Sequence, residues 1–442
     1  MLKINSYKTQ TGMRLSFRGK NYEISYLGKR WQRISSGLQD TLISNLAMVS
    51  TIHLPIVLED RKVIFNTGFP IFEAAFYQNM IYDIPSCAAF NGHKTSDVIR
   101  DFMNTEFEFG SYDFSIPEVS FSPENKVIIP FTFGKDSLLT FALCEELGLK
   151  STLVHIEEPA FRHEIIQKNK LADGLKKEFN AEVERLGHKT GLLRDMKHLG
   201  SDKKEFGWGH QTTEYSLLMA PYAINEGARL ILFGNEQDNN YFITDEEGFI
   251  CYPSFDQSSS WTLQEDSMVK LLTGNSSGVA SLIEPLNDFA ISKVLHHRYP
   301  KYAKYQMSCF SDETGKRWCQ HCSKCARSYI NLAAAGADLK KIGLKRNMLD
   351  KKFRDYFTIF SGSKLDGFDA SAVARDEQIF TFYTAYKKGV RGQLMEEFKR
   401  RFLKEAKSGE DELIKKYLKI HEPKTIPNDL KKGVLSIFRE EL

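Results

Sequence analysis

Four cysteines fall close together near the three-quarter point of the chain: Cys309, Cys319, Cys322 and Cys325. Thiolates grouped this tightly are the usual ligand set of a closed tetrahedral Zn²⁺ site. The Cys-x₂-Cys-x₂-Cys run also suits an iron–sulfur cluster. A four-thiolate shell leaves no open position for water, so either metal would staple the fold and not activate a nucleophile. His321 lies inside the run, but four thiolates already complete the shell. The other cysteines, Cys87, Cys144 and Cys251, read as small core residues.

A second group with chemical potential is Phe131-Thr-Phe-Gly-Lys-Asp-Ser137. It follows the apolar run Lys126-Val-Ile-Ile-Pro130 and precedes a helical pattern, Asp136 to Leu147, closed by Gly148. A loop between strand and helix exposes backbone N–H groups, and the helix start adds the positive end of its dipole. Gly134 lets backbone approach an anion with no Cβ in the way. Thr132 and Ser137 offer hydroxyls, Lys135 a point charge, and Asp136 a ligand for Mg²⁺ bridging phosphates. Asp136 and Ser137 also suit a plain helix N-cap. The spacing is not that of the nucleoside-triphosphatase P-loop, which needs Gly-Lys-Ser/Thr after a four-residue spacer.

Other candidates stand at expected strand ends. His155 and Glu157 close the apolar run from Ser151 and read either as a binding edge or, for His155, as a core histidine. Asn235, Glu236 and Asp238 follow Arg229-Leu-Ile-Leu-Phe-Gly234, where substrate binding or acid/base work is expected. Gly207-Trp-Gly-His210 precedes a helix, and His210 suits a phosphate contact or proton transfer. Asp256 to Trp261 is polar and reads as a mobile substrate loop or a solvated connector. Trp318 and Arg327 border the cysteines and read as structural.

The elements that must position these groups alternate. Between Lys126 and about residue 300, apolar strands alternate with helical patterns at 161–186, 212–226 (Thr212 or Thr213 as N-cap) and 282–297. That order predicts an α/β fold with a doubly wound parallel sheet. Ahead of it, residues 1–125 read as an α+β accessory domain: two strands around Gly19-Lys-Asn, a helix at 40–49, strands at 52–58 and 61–65, and a helix at 72–80. The core is expected at 126–340. Residues 341–442 read as a charged helical region with one helix from Gly409 to Leu418.

With 442 residues the chain is long enough for two or three such units. Its net charge of +3 speaks against a general nucleic-acid binder. Charged residues at 26% and apolar residues at 42% exclude disorder over most of the chain. No apolar run reaches the ~20 residues of a membrane span, and no secretory leader is visible, so a cytoplasmic protein is expected.

The Thr132–Ser137 loop resembles the Ser-Gly-Gly-x-Asp-Ser loop of the PP-loop ATP pyrophosphatase superfamily, whose members cleave ATP between the α and β phosphates. Gly134, Asp136 and Ser137 match, whereas Thr132 replaces Ser and Phe133 replaces the first Gly. Combined with the cysteines, the pattern is similar to the QueC-like 7-cyano-7-deazaguanine synthases. It also resembles the ATP-dependent UDP-N-acetylmuramoyl-L-alanyl-L-glutamate epimerases, through Trp318-Cys-x-x-Cys-x-Lys-Cys325, Gly209-His210 and Gly234-Asn-Glu236.

The resemblance implies a PP-loop fold, with ATP, Mg²⁺ and Zn²⁺ as cofactors, and activation of a small-molecule carboxylate as an acyl-adenylate. An amine, which in QueC-like defence systems belongs to a protein, then accepts the acyl group; in the epimerase branch the activated carbonyl acidifies a neighbouring C–H. Carried onto this chain, Lys135, Asp136, His210 and Glu236 are the expected catalytic groups. Thr132, Phe133, Gly134, Lys135, Asp136, Ser137, His155 and Asn235 are the expected nucleotide-binding groups. A non-catalytic nucleotide-binding module is the competing expectation, because Phe133 departs from the motif. A transfer-RNA modifier is disfavoured by the charge balance.

Overall fold

In a computed structural model, the described residues are 1–114, 116–159, 162–309, 315–361 and 372–442. The strands are β1 (Leu2–Lys8), β2 (Gly12–Phe17), β3 (Lys20–Tyr26), β4 (Lys62–Phe65), β5 (Glu106–Glu108), β6 (Glu124–Pro130), β7 (Lys150–Glu157), β8 (Val183–His188), β9 (Ala228–Leu232), β10 (Ile243–Thr244), β11 (Ile250–Cys251) and β12 (Gly278–Ala280). β10 and β11 form a separate hairpin, and the other ten make one sheet in the order β12-β9-β6-β7-β8-β3-β2-β1-β4-β5. From β12 to β8 every pairing is parallel; β8–β3, β3–β2 and β2–β1 are antiparallel, and β1–β4–β5 are parallel again.

The five-strand parallel part runs outward from β6 in both directions. β7 and β8 follow on one side, and β9 and β12 on the other. The strand order therefore reverses between β6 and β9, where a doubly wound fold opens a crevice beyond the strand carboxyl ends.

Alternation along the strands sends side chains to two cores. Val127 and Ile129 face one core with Leu153 and Leu232, under the helices Lys135–Glu146, Asp288–Arg298 and Asn428–Glu441. Ile128, Val154 and Ile231 face the other, under Ser36–Val49, Glu73–Asn91, Gln211–Glu226 and Ser259–Leu272. A third core gathers around the cysteine helix Ser323–Ala335 and the helices Ala372–Lys387, Gln393–Arg401 and Glu410–Tyr417.

Three expectations are corrected. Residues 52–58 do not form a strand: Leu54–Leu58 is a short helix with Pro55 in its first turn, where a missing N–H costs nothing. The stretch 161–186 divides into a helix, Arg162–Phe179, and strand β8. The helix at Gln211 starts one residue early, after His210, and neither threonine caps it. The sheet and the second-named core run without a break across residues 125 and 126, because Ile24, Ser25 and Tyr26 pair with His188, Gly187 and Leu186.

Candidate functional site

The loop after β6 is built around a residue in an unusual backbone conformation. Phe133 has φ +60°, a region where a bulky side chain is an outlier. Its ring is fully buried and packs edge-on against Phe131 at 4.7 Å between centroids. The side chain thus turns into the core and leaves the outer surface of the loop to backbone. The Phe133 carbonyl accepts a 2.7 Å hydrogen bond from the Met307 N–H, which ties the loop to the segment entering the cysteine cluster.

Gly134 caps the helix Lys135–Glu146, and its N–H donates to Thr132 Oγ1 at 3.3 Å. The Thr132 N–H donates to Ser137 Oγ, also at 3.3 Å. Across the crevice, Gly234 after β9 abuts this helix start: a Cβ there would lie 2.7 Å from Asp136 Cβ. The two loops at the strand-order reversal are in van der Waals contact.

Charges converge here. Lys135 Nζ is 2.8 Å from Glu236 Oε2 and 3.6 Å from Asp288 Oδ1, and it donates to Asp136 Oδ1. Burial opposes the Lys135 ammonium, but Asp136, Asp288 and Glu236 outweigh it and hold its pKa well above the ordinary value. Burial raises the Glu236 carboxyl well above its usual range, with Lys135 opposing and the neighbouring acids adding. Burial also raises Asp136, against the pull of Lys135. Asp238 is raised to about 6 by burial, although the Asp288 N–H and Asn287 Nδ2 donate to it at 2.7 and 2.6 Å. Asn331 Nδ2, from the cysteine helix, donates to Asp288 Oδ1 at 3.0 Å. Five acids, Asp136, Glu236, Asp238, Asp288 and Glu377, thus face Lys135 and Arg327.

Of the residues expected at the site, Thr132, Gly134, Lys135, Asp136, Ser137 and Glu236 are brought together. Phe133 shapes the loop from beneath. Asn235 is buried and donates to Thr262 Oγ1 at 2.8 Å, so its side chain serves the helix Ser259–Leu272. His155 is buried below the loop, its Nδ1 3.1 Å from the Phe131 carbonyl; burial and then Lys168 lower its pKa to about 3, so it is a neutral core histidine. His210 is not at the loop: its ring nitrogens lie 2.9 Å from Asn79 Oδ1 and 2.7 Å from Met80 Sδ, and burial holds it uncharged. Asp256 to Trp261 is largely buried and not a solvated connector, with Ser260 alone exposed. Asp256, Ser258, Ser259 and Trp261 are buried, and Asp256 accepts the Thr212 N–H at 2.9 Å.

Sequence reasoning missed Asp288, Asn331 and Glu377. Asp288 had a usable signal, since it opens the helix after the last strand of the parallel set. Glu377 had none: it stands inside a long charged helix.

The four clustered thiols could hold a metal ion such as zinc, because their sulfurs all lie within 4.8 Å of one another. Cys319 Sγ and Cys325 Sγ are 3.7 Å apart. Backbone N–H groups of Cys319, Gln320 and Cys325 point at Cys309, Cys325 and Cys322 sulfurs, each at 3.4 Å. The four thiols share one hydrogen-bonded cluster, which lowers the Cys309 thiol and pushes the Cys322 and Cys325 thiols up. Trp318 Nε1 donates to the Ile342 carbonyl at 2.9 Å and fixes the entry to the cluster. Cys87, Cys144 and Cys251 are separate and buried. Among the described residues no helix is long and apolar enough to cross a membrane.

No protein-family model matches this sequence, and no curated protein is significantly similar to it.

Proposed function

We propose that this chain is an ATP-dependent adenylating enzyme of the PP-loop type, activating a small carboxylate and passing it to an amine. One observation carries the reading: the loop after the first parallel strand has a left-handed residue immediately before a helix start, at the strand-order reversal. That arrangement presents successive N–H groups to an anion. Phe133 stands at the residue where the superfamily has glycine, and its left-handed backbone with an inward ring supports the same loop path.

In this reading the Gly134 and Lys135 amides, with the Thr132 and Ser137 hydroxyls, cradle the leaving phosphates. Asp136 and Glu236 would hold Mg²⁺, which supplies charge neutralisation between carboxylates and phosphates. The acid-rich surroundings support a cation requirement, since a bare triphosphate would be repelled. A carboxylate oxygen of the substrate attacks the α-phosphorus and the α–β bridge breaks. Pyrophosphate leaves, and an acyl-adenylate remains. Amine attack at the acyl carbon then expels AMP.

The metal at the cysteines is proposed to be zinc. A tetrahedron with Zn–S bonds of about 2.3 Å has edges of about 3.8 Å, close to the 3.7 Å sulfur separation. The staple is structural: one arm holds the Phe133 carbonyl through Met307, the other reaches Asp288 through Asn331.

The test is pyrophosphate–ATP exchange with a panel of carboxylic acids, together with product analysis. An accepted acid should give AMP and pyrophosphate in equal amounts, and Asp136→Asn should abolish turnover with the circular dichroism spectrum unchanged. Release of ADP and phosphate would overturn the proposal.

A further inference from the structure

The acids at the strand-order reversal outnumber the cations, and the excess is concentrated at Glu377. This residue comes from the helix Ala372–Lys387, remote in sequence from the nucleotide loop. It is 1% exposed, and neither carboxylate oxygen has a hydrogen-bond partner. Burial, then Asp288 and Asp238, raise its carboxyl well above the usual range, with Arg327 opposing. Phe380, one turn further along the same helix, packs edge-on against Phe289 at 5.3 Å between centroids. That contact fixes the Glu377 face of the helix toward the start of Asp288–Arg298. A buried carboxyl without partners among other acids is costly to ionise, and an incoming cation is what would offset that cost.

The geometry distinguishes between kinds of cation. A divalent ion held by side chains alone, without the phosphate oxygens that would complete a Mg²⁺ shell at Asp136 and Glu236, needs several carboxylate oxygens at about 2.0–2.6 Å. Among the described residues only the four cysteines bring three or more ligand atoms within 4.8 Å of one another. An organic ammonium instead donates single hydrogen bonds to carboxylates set wider apart. Lys135 already binds in this way between Asp136, Glu236 and Asp288. The Asp136 side chain is 31% exposed and Glu377 is buried, so the acids run from solvent into the interior.

We propose that Glu377, with Asp238 and Asp288, forms a subsite for the primary ammonium group of a small organic amine. Its role as acceptor subsite rests on the adenylation reading above, whereas its capacity to bind an amine does not.

The probe is n-propylammonium chloride, titrated by calorimetry into the full-length metal-loaded protein, with tetramethylammonium and Mg²⁺ alone as comparators. n-Propylammonium should bind saturably, and Glu377→Gln should weaken it at least tenfold. Tetramethylammonium, which has no N–H donor, should not bind. Equal affinity in wild type and Glu377→Gln would overturn the proposal, as would Glu377-dependent binding of Mg²⁺ but not of the amine. Asp238→Asn provides the same readout should Glu377→Gln not fold. Exchange between pyrophosphate and ATP on the wild-type protein is scored separately: its failure with amine binding intact removes the adenylation reading and leaves the subsite.

Discussion

Replacing Phe133 by Ala and by Gly separates what its ring does from what its backbone does. Both substitutions remove the same buried ring from beside Phe131. Truncating a core Phe to Ala costs about 3–5 kcal/mol. At φ +60° the Ala variant also keeps a Cβ in the left-handed region, at roughly 1–2 kcal/mol. Glycine relieves that strain but loses about 0.5–1 kcal/mol through its freer unfolded chain. The difference leaves Phe133→Gly more stable than Phe133→Ala by about 0–1.5 kcal/mol, the reverse of the order at a helical position. Urea titration of the zinc-loaded variants, followed by the fluorescence of the four tryptophans, measures this as a shift in midpoint at common slope. An alanine variant more stable than the glycine variant by about 1 kcal/mol, the order at an ordinary backbone position, would refute the left-handed loop and with it the anion cradle.

Cys325→Ser should lower bound zinc from about one per chain to near zero by elemental analysis; full retention would show that the cluster is not the ligand set. Gly234→Ala should cost about 1–3 kcal/mol by forcing the loops apart, and it should slow pyrophosphate exchange at least tenfold; unchanged midpoint and exchange would contradict the close approach to Asp136. Burial, then Asp256, raises the Asp83 carboxyl to about 7. The folded protein therefore keeps a proton that the unfolded chain releases near pH 4, so this stabilisation is full below about pH 4 and is lost as pH rises to about 7. Asp83→Asn should make stability fall less over that window, and an unaltered pH profile of the denaturation midpoint would count against it.

Much of the central architecture was legible because its signals are local. Val127-Ile-Ile is an apolar run too short for a helix and bounded by a turn, and Gly148, at φ +72°, ends the following helix. Strand β8 was not legible, since Glu184 and Arg185 interrupt its apolar pattern and pairing on both edges maintains it. Residues 52–58 show why short apolar runs are ambiguous: either element buries them, and Pro55 favours the helix. At the site, the loop and the Asn-Glu after β9 stood out as residue types at strand ends. Their grouping with Asp288 and Glu377 depends on packing between helices far apart in sequence, which no local spacing records. Asn235 and His210 had the right chemistry, but each is satisfied by a neighbouring helix.

The antiparallel junction between β3 and β8 also bears on how the chain is made. Residues 24–26 leave the ribosome long before residues 186–188, their partners. Until then the first three strands form a meander whose β3 border displays unpaired amides and carbonyls to solvent, or to another nascent chain. Such nonlocal pairing folds slowly and is prone to capture by like edges. Production of this protein should therefore be limited less by its final stability than by the interval between synthesis of β3 and of β8. Slower elongation at 27–182 would lengthen that exposure, and chaperones that shield strand edges would be expected to raise the yield.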